Sequence, residues 1–367
     1  MTRVGIDLRI LHYAKTGFHR YAQGLLRSLQ RFRDPGTRLI LLRHPAESAP
    51  EPASAHGEDV AITTPLFHAD EGDALRRELA PLDLDVIHFP FSLFPGRVAP
   101  RVIVTIHDLT CVRFPQFIEP RYLPLYLDAV HRAGEADRIS VVSARIRADL
   151  VRRGLLPEKI HLAYPLTPFE EDTASTCTAA VDRALIDRLD GRPYLLSVGS
   201  LEPRKNHEAT LAAFSRLRTR APERLLLLLV GHHGWLMEPL AQALRRNPYR
   251  EDVWLVGDAN DATVRHLLRH CRLFVNLSVY EGFGLPVLEA LAHGACVLST
   301  PIPSLAESGF PREGILETTD AEAVATRLAR LLADAEARTA LAARSRAVVG
   351  TFYRACDPAR LAQLYRW

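Results

Sequence analysis

Two glutamates, Glu281 and Glu289, flank a glycine-rich run at residues 282–286 with the sequence Gly-Phe-Gly-Leu-Pro. The apolar run 273–277 before them is typical of a strand, and Pro286 suits the first turn of a helix, where its missing N–H is no loss. A glycine-rich turn at a helix N-terminus presents backbone N–H groups at the positive end of the helix dipole. The pattern therefore predicts a pocket where one carboxylate binds sugar hydroxyls and the other a ribose, with phosphate oxygens near the N–H groups.

A basic pair, Arg204 and Lys205, stands between a strand candidate, Tyr194–Val198, and a helix candidate, His207–Arg218, for which Asn206 is a plausible N-cap. Two cations beside a helix N-terminus favour a diphosphate. No Asp-x-Asp motif or other plausible metal cluster accompanies them, so we expect the cations to neutralise a departing diphosphate without a metal ion. A solvated basic turn is the alternative interpretation of the same pair.

Three glycine positions and the 281–285 loop follow strand candidates in the second half of the chain. Gly199 with Ser200 follows residues 194–198, Gly231 follows an apolar run that ends at residue 230, and Gly257 follows one that ends at residue 256. The carboxyl ends of parallel strands share one edge of a sheet, and open α/β sheets bind ligands at that edge. We therefore expect these positions to converge on one donor-binding site.

The first half of the chain offers two candidate positions, His107 and Gly17. His107-Asp108 follows the β-branched run 102–106, which is typical of a buried parallel strand. A polar pair past the carboxyl end of such a strand favours a binding role, although a lone histidine is more often structural. Gly17 lies between a strand candidate and a helix candidate. A glycine there lets a phosphate or sugar approach the backbone, and the alternative is that a plain turn requires it.

Strand and helix patterns alternate along the chain, which indicates a doubly wound α/β architecture. Strands are predicted at residues 3–8, 38–42, 60–63, 86–89, 102–106, 139–142, 160–163, 194–198, 224–230, 252–256, 273–277 and 296–299. Helices are predicted at residues 19–29, 121–134, 144–153, 179–189, 207–218, 321–333, 335–348 and 358–367, and a mobile surface loop at 45–58. Residues 165–192 begin with an extended, proline-containing stretch and continue with a polar one, which interrupts the strand and helix patterns. We therefore place a linker there and predict two domains, 1–168 and 190–350, followed by a C-terminal segment, 351–367.

Composition narrows the class of protein. The chain has 367 residues, of which 47% are apolar and 24% charged, so it can bury the cores of two domains. A net charge of +3 gives no reason to expect a nucleic-acid partner. No apolar run reaches the about 18 residues of a membrane span, and no signal peptide is apparent. Five scattered cysteines without CxxC spacing indicate reduced thiols in the cytoplasm and no zinc site.

The spacing of Glu281 and Glu289 resembles the E-x7-E motif of retaining GT-B glycosyltransferases of family 4. Further segments are similar to bacterial mannosyltransferase-like members of that family. They are Ser-Val-Gly-Ser-Leu-Glu-Pro-Arg-Lys-Asn at 197–206, Val-Gly-His-His-Gly-Trp at 230–235, Thr-Gly-Phe-His-Arg-Tyr at 16–21, Thr-Ile-His-Asp-Leu at 105–109 and Ser-Leu-Ala-Glu at 304–307. The resemblance covers nearly the whole chain and is most specific over residues 196–308.

The resemblance implies a GT-B fold, in which two Rossmann-like domains face each other across a cleft and a C-terminal helix crosses back to the first domain. It implies a nucleotide sugar in the second domain and an acceptor in the first. Arg204 and Lys205 would bind the diphosphate, Glu281 the donor sugar and Glu289 the ribose. The backbone N–H groups of Phe283, Gly284 and Leu285 would bind sugar hydroxyls or phosphate. His107 would contact the sugar from the opposite domain, and Gly17 would let the first loop close on the donor.

The expected activity is a metal-independent, retaining hexosyl transfer to a glycan or lipid-linked acceptor in bacterial surface-polysaccharide assembly, with no cofactor. The segments at 202–206 and 231–235 favour GDP-mannose as donor. A UDP-hexose-dependent transferase, a sugar-nucleotide epimerase and a non-catalytic nucleotide-sugar-binding protein stay open as alternatives. The expected location is the cytoplasm, where the arginine-rich stretch 145–153 is either a peripheral contact with the inner face of the membrane or a solvated helix face.

Overall fold

A computed structural model describes residues 1–13, 17–31, 36–47, 57–68, 70–164, 180–220, 225–257, 259–355 and 363–366. The chain divides into two compact units, one of Met1–Pro168 with Tyr353–Trp367 and one of Phe169–Phe352. The C-terminal segment Tyr353–Trp367 therefore belongs to the first unit. No helix in the ranges given above combines the length and the apolar character that crossing a membrane requires.

The first unit contains a seven-stranded sheet within the residues described. Its strands are β1 (Thr2–Asp7), β2 (Thr37–Arg43), β3 (Gly57–Ala61), β4 (Val86–Phe89), β5 (Arg101–Ile106), β6 (Arg138–Val141) and β7 (Ile160–Leu162). They lie in the order β3-β2-β1-β4-β5-β6-β7, and every neighbouring pair is parallel. Reversal of strand order between β1 and β4 is the arrangement of a Rossmann-like fold.

Helices cover the faces of this sheet. They are α1 (Gly17–Arg31), α2 (Glu71–Leu79), α3 (Thr110–Arg113), α4 (Leu123–Arg132) and α5 (Ala144–Arg152). In α5, Ile146 and Leu150 are fully buried while Arg145 and Arg152 are exposed, because residues four apart share one face of a helix. The hydroxyl of Ser143 caps this helix by accepting a hydrogen bond from the Ile146 N–H at 3.2 Å.

The second unit repeats the plan with five strands in its described part. These are β8 (Tyr194–Val198), β9 (Leu226–Val230), β10 (Val253–Val256), β11 (Leu273–Asn276) and β12 (Val297–Ser299), in the parallel order β10-β9-β8-β11-β12. Its helices are α6 (Arg183–Leu189), α7 (His207–Arg218), α8 (Glu238–Arg246), α9 (Asp261–His270), α10 (Leu285–Ala292), α11 (Pro303–Ser308), α12 (Ala321–Ala333) and α13 (Ala335–Ala355). Two parallel α/β sheets thus confirm the predicted fold class.

The core of the second unit lies between its sheet and the helices α7 and α12. All five residues of β9 are buried, which is why this strand is a continuous apolar run. Phe214 of α7 and Val324 and Leu328 of α12 belong to the same buried apolar cluster. Asp320 fixes the start of α12, because its carboxylate accepts a hydrogen bond from the Ala323 N–H at 2.9 Å.

Two predicted boundaries are wrong, and other predicted segments fall outside the described residues. β3 begins at Gly57, inside the stretch predicted as a mobile loop, because this edge strand is held by pairing with β2 rather than by an apolar pattern. Residues 48–56 of that loop lie outside the described residues, as do residues 165–179 of the predicted linker. α13 continues past the predicted end at residue 348, since its buried face extends through Val349 to Phe352. Residues 358–362 and 367 of the predicted C-terminal helix, 358–367, are likewise not described.

The C-terminal residues 363–366 pack on the first sheet. Tyr365 is buried, and its hydroxyl lies 2.7 Å from Nδ1 of His88 on β4. The other ring nitrogen of His88 lies 2.8 Å from the Thr105 hydroxyl on β5. Arg138 of β6 donates hydrogen bonds to the backbone carbonyls of Gln363 and Leu364. The tail is therefore fixed to β4 and β6, and His88 connects its contact on β4 to β5.

Candidate active site

The strand order of the second sheet reverses between β8 and β11. β9 and β10 lie on one side of β8, whereas β11 and β12 lie on the other. In open α/β sheets, the loops that leave the carboxyl ends of the two strands at such a reversal form the ligand-binding site. These loops are residues 199–206 and 277–284, which the sequence predicted as donor-binding loops.

An ion cluster joins the two loops. Lys205 donates a hydrogen bond to Oε1 of Glu281 at 2.6 Å, and Arg204 donates one to Oε2 at 2.7 Å. Arg204 also binds the carboxylate of Glu202 at 2.6 Å and the Tyr280 carbonyl at 3.0 Å. The structure thus brings together three residues that lie 76 and 77 positions apart in the chain.

Side-chain hydrogen bonds fix the loop that carries Glu281. Ser278 donates a hydrogen bond to Oε1 of Glu281 at 2.7 Å. The Thr300 hydroxyl, just past β12, donates to the Ser278 carbonyl at 2.7 Å. Asn276, the last residue of β11, donates to the hydroxyl of Ser299 at 2.9 Å. Because these groups are buried and bonded, the carboxylate has a fixed position.

The Glu281 carboxylate is ionised despite its burial. Burial alone raises the pKa of this group, but Lys205 and then Arg204 outweigh that effect and lower the pKa to about 2. Glu202, Arg204, Lys205 and Glu281 together carry two positive and two negative charges. An anion that enters must therefore compete with carboxylates for the two cations.

Glycines let the neighbouring loops approach closely. A Cβ at Gly231 would lie 1.9 Å from the Gly199 carbonyl oxygen, and a Cβ at Gly199 would lie 3.2 Å from Cε of Lys205. Backbone hydrogen bonds join the same loops, from Gly199 N–H to the Val230 carbonyl and from Leu201 N–H to the His232 carbonyl. Gly199, Ser200 and Gly231 therefore form one wall beside Lys205. Gly257 differs, since a Cβ there meets no described atom within 4 Å.

The helix α10 begins at the loop that carries Glu281. Gly284 is its N-cap residue with φ +98°, and a Cβ there would lie 2.3 Å from Cδ1 of Ile302, so only glycine fits. Phe283 packs edge-on against Phe352, with ring centroids 5.1 Å apart. The backbone N–H groups of Phe283, Gly284 and Leu285, which the sequence predicted to bind sugar hydroxyls or phosphate, thus lie at the positive end of the α10 dipole. Glu289 lies one turn further and is buried, and its ribose role stays a prediction.

Two expectations about the loop before α7 are wrong. Lys205 is not an exposed loop lysine but is only 8% exposed, because the fold pairs it with buried Glu281. Asn206 precedes α7 but makes no side-chain capping bond. Its φ of +55° closes the preceding short 3-10 turn, Pro203–Lys205, and this left-handed conformation differs from the extended one of a capping residue.

His107 of the first unit lies just past β5, as predicted. Its Nε2–H donates to the Pro90 carbonyl at 2.9 Å, and the rings of Phe18 and Tyr21 lie edge-on to it at 4.9 and 4.6 Å. Burial lowers its pKa to about 4, so the ring is neutral at pH 7. The proton on Nε2 leaves Nδ1 with a lone pair that can accept a hydrogen bond.

Gly17 is the first residue of α1, adjacent to Phe18, which contacts the His107 ring. A Cβ at Gly17 meets no atom within 4 Å among the residues described. The structure therefore brings Gly17 and His107 into one neighbourhood of the first unit. Their expected roles toward the donor stay predictions.

The expectation of catalysis without a metal started from the absence of an Asp-x-Asp motif, but the chain does contain one, Asp83-Leu84-Asp85. It precedes β4, at the amino end of the first sheet, and Asp85 accepts a hydrogen bond from the Arg3 backbone N–H at 2.8 Å. Ligands bind at the opposite, carboxyl edge of such sheets. This motif therefore has a structural role in joining β1 to β4.

Family models match both halves of the chain. The model described as "Glycosyltransferase Family 4" matches residues 15–168, and the model described as "Glycosyl transferases group 1" matches residues 182–348. The chain belongs to the group 1, family 4 glycosyltransferases. The ion cluster at β8 and β11 falls in the group 1 part of this glycosyltransferase.

Two bacterial relatives are mannosyltransferases by name. The glycosyltransferase is 27% identical to the O-antigen chain mannosyltransferase B of Escherichia coli over 272 residues, which cover 73% of this chain and 70% of that protein. It is 29% identical over 330 residues to the serotype-specific mannosyltransferase WbdA of Escherichia coli, covering 82% of this chain. The matched region spans only 38% of the length of WbdA.

A solved structure shares the fold of this glycosyltransferase. The sucrose-phosphate synthase of Thermosynechococcus elongatus superposes with a TM-score of 0.75 at 19% identity, covering 100% of this chain and 98% of that one. This similarity confirms the GT-B fold predicted from the sequence.

Sequence reasoning missed two residues that complete the cluster, Glu202 and Ser278, and a nearby buried histidine, His207. Glu202 and Ser278 stand two or three positions from predicted residues, so their proximity in sequence was the available signal. His207, the first residue of α7, is buried, and its Nε2 lies 3.2 Å from the Ser200 carbonyl oxygen. Burial lowers its pKa to about 4, so it adds no charge beside Lys205 at pH 7.

Proposed function

We propose that this glycosyltransferase moves a hexose, in the first instance mannose from GDP-mannose, to a glycan or lipid-linked acceptor in bacterial surface-polysaccharide assembly. The observation that carries the proposal is the ion cluster of Lys205, Arg204 and Glu281 at the reversal of strand order, beside the start of α10. The names of the two relatives above support mannose as the sugar. GDP as the nucleotide is our inference from the sequence segments.

The cations would act on the leaving group. As the bond between the anomeric carbon and the phosphate oxygen breaks, its electron pair stays on the diphosphate, and negative charge grows there. Lys205 and Arg204 would share their hydrogen bonds between Glu281 and the diphosphate. Their attraction strengthens as the charge develops, so it lowers the barrier rather than only binding the substrate.

Glu281 would organise the site rather than attack the sugar. Both of its oxygens accept charged hydrogen bonds, and its pKa of about 2 marks a strongly stabilised carboxylate. Such a carboxylate is a weak nucleophile, because forming a bond to carbon would break those interactions. It holds the two cations in place and can accept a hydrogen bond from a donor hydroxyl.

The remaining positions fit the other parts of a nucleotide sugar. The start of α10 suits a phosphate or sugar oxygen, and Glu289 on the next turn suits the ribose. The Nδ1 lone pair of neutral His107 suits a sugar hydroxyl. We extend the proposal to retention of anomeric configuration and to catalysis without a metal, since two cations supply the charge that a metal would otherwise supply.

The proposed location is the cytoplasmic side of the membrane, where a lipid-linked acceptor and a soluble nucleotide sugar can meet. We do not assign membrane contact to α5. Its residues Arg145 and Arg152 both pair with Asp149, which favours a salt-bridged helix face over a lipid-binding one.

A nucleotide panel tests the proposal most directly. The thermal midpoint should rise with GDP and GDP-mannose, because a ligand that binds only the folded state stabilises it by mass action. UDP, ADP and dTDP with their sugars serve as controls. Protection by UDP alone would replace mannose with a UDP-hexose donor, and no protection by any nucleotide would argue against the transferase.

Product analysis completes the experiment. Transfer from GDP-mannose should persist in EDTA, and NMR of the product should show the anomeric configuration of the donor. Activity that disappears with EDTA and returns with Mn²⁺ would refute catalysis without a metal. Sugar release or isomerisation without an acceptor would indicate an epimerase or hydrolase.

A further inference from the structure

Five aromatic rings form a continuous row at the carboxyl edge of the first sheet. We call this row the aromatic ladder and define it as His44, His12, Tyr13, Phe67 and Tyr122. His44 and His12 stack with centroids 3.9 Å apart, and Tyr13 follows at 5.4 Å from His12. Phe67 lies 6.2 Å from Tyr13, and Tyr122 lies 5.8 Å from Phe67. His12 is exposed and the other four side chains are half-buried.

The ladder is built from separate loops rather than from one element. His12 follows β1, His44 follows β2, Phe67 follows β3, and Tyr122 lies before α4. The strands β3, β2 and β1 are neighbours, so their carboxyl ends place these loops side by side. This edge is where parallel sheets bind ligands.

The backbone at Phe67 is strained. Its φ of +65° is a genuine outlier for a bulky side chain. Such a conformation persists only where its surroundings fix it, and it is found preferentially at functional sites. This backbone conformation places the Phe67 ring between the rings of Tyr13 and Tyr122.

Hydrogen bonds fix that conformation. The Phe67 N–H donates to Oε2 of Glu71 at 3.1 Å, and the Leu66 N–H donates to the Tyr13 hydroxyl at 3.2 Å. Oε1 of Glu71 accepts from Arg9, a fully buried side chain, at 2.7 Å. Arg9 also donates to the Thr64 carbonyl at 2.6 Å. The loop is therefore anchored to the core at several points and presents its ring on a rigid support.

We propose that the aromatic ladder binds the sugar residues of the acceptor glycan. Pyranose rings expose faces of C–H groups that pack on aromatic rings, while their hydroxyls bond to imidazole nitrogens and phenol hydroxyls at the ring edges. From His12 to Tyr122, successive ring centroids lie 5.4, 6.2 and 5.8 Å apart, so the row is longer than one sugar and suits an oligosaccharide better. The guanidinium of Arg121, 4.7 Å from the Tyr122 ring centroid, adds hydrogen-bond donors at one end.

The inference rests on the proposed function, since it gives the acceptor of the transfer a place in the first unit. The competing explanation is that the rings only pack the loops together. The two differ in outcome, because packing affects stability whereas a glycan site affects the acceptor alone.

The test uses Phe67→Gly and Tyr122→Ala in the full-length chain. Glycine adopts the left-handed conformation of residue 67 without strain, so Phe67→Gly should keep a thermal midpoint close to wild type. Both variants should raise the acceptor KM about tenfold, equivalent to about 1.4 kcal/mol, and leave the KM for the nucleotide sugar unchanged. Phe67→Tyr should retain acceptor binding. Phe117→Ala, which removes a half-buried ring that stacks on Phe114 outside the ladder, is the matched control.

Binding without a donor separates this inference from the proposed function. Saturation-transfer NMR with an α-linked mannotriose should show contact with wild-type protein and a marked loss in Phe67→Gly. Unchanged acceptor KM in both variants, an equal rise in Phe117→Ala, or no mannotriose contact with wild type would each overturn the ladder as a glycan site. Nucleotide protection in the thermal-shift panel would still stand in those cases, whereas its absence would instead remove the donor side of the function.

Discussion

At the scale of single residues, the most informative position is Lys205. Its sequence context, a basic turn before a helix, is that of a solvated loop, and such a lysine would hold no core. In the fold its ammonium is buried and binds the Glu281 carboxylate at 2.6 Å. A residue proposed for catalysis therefore also neutralises a buried charge, and the two roles respond together to mutation.

Replacing Lys205 by alanine should reduce turnover by roughly 10²-fold or more, the scale of losing one transition-state charge stabiliser. It should also lower the free energy of unfolding by on the order of 1–3 kcal/mol, because Glu281 loses a buried hydrogen bond while Arg204 and Ser278 remain. Chemical denaturation and initial rates measure the two effects. The control is Arg216→Ala, which removes an exposed charge from α7. Wild-type turnover in Lys205→Ala would place the diphosphate elsewhere.

At the scale of elements, the close approach of loops after β8 and β9 explains why glycines occur where they do. The Gly199 carbonyl occupies the space in which any side chain at residue 231 would begin. Gly257, after the neighbouring strand β10, has open space around it in the described structure. Two glycines that are equivalent in sequence context therefore have different structural requirements.

Gly231→Ala should destabilise the second unit by on the order of 1–3 kcal/mol, since its methyl group collides with backbone and the loops must separate. The same separation should weaken binding of the nucleotide sugar. Gly257→Ala, the matched control, should change stability by less than about 0.5 kcal/mol, the range of surface substitutions away from such contacts. Urea unfolding compares the two variants, and equal stability would contradict the proposed close contact.

At the scale of the whole molecule, buried neutral histidines occur in both units. Burial lowers the pKa of His88 to about 3 and the pKa values of His107 and His207 to about 4, from an ordinary value of 6.5. His88 lies under the C-terminal tail and contacts Tyr365. Protonation of these rings is therefore linked to unfolding and to release of the tail.

The free energy of unfolding should decrease as the pH falls from 6.5 toward 4. In that window the unfolded chain binds protons at these histidines while the folded chain does not, so stability rises with pH. For fully buried His88, the contribution approaches about 1.4 kcal/mol per pH unit. His88→Asn should flatten part of the slope, although it also alters the contact with Tyr365. Urea midpoints across this range measure the effect, and a flat profile would refute it. Below pH 4.5 the unfolded chain protonates Glu281 while the folded chain, in which its pKa is about 2, keeps it ionised, so a further loss of stability should follow.

The sequence alone determined the two-unit α/β fold and placed the glycine-rich and charged loops at the carboxyl ends of its strands. It did so because strand and helix periodicity, glycine positions and charged pairs are local properties of the chain. The family resemblance rests on the same local segments. Positions such as His107 and Glu281 were therefore predictable from the run of apolar residues before them.

Only the tertiary structure decided which charged groups meet. The pairing of Lys205 with Glu281 joins residues 76 positions apart, and the contact of His88 with Tyr365 joins residues 277 apart. No local pattern encodes such pairs, because they depend on strand order and on how closely loops approach. The aromatic ladder likewise exists only after three parallel strands bring their carboxyl ends to one edge. Burial, pKa and strain at these sites follow from that assembly and not from the residues taken singly.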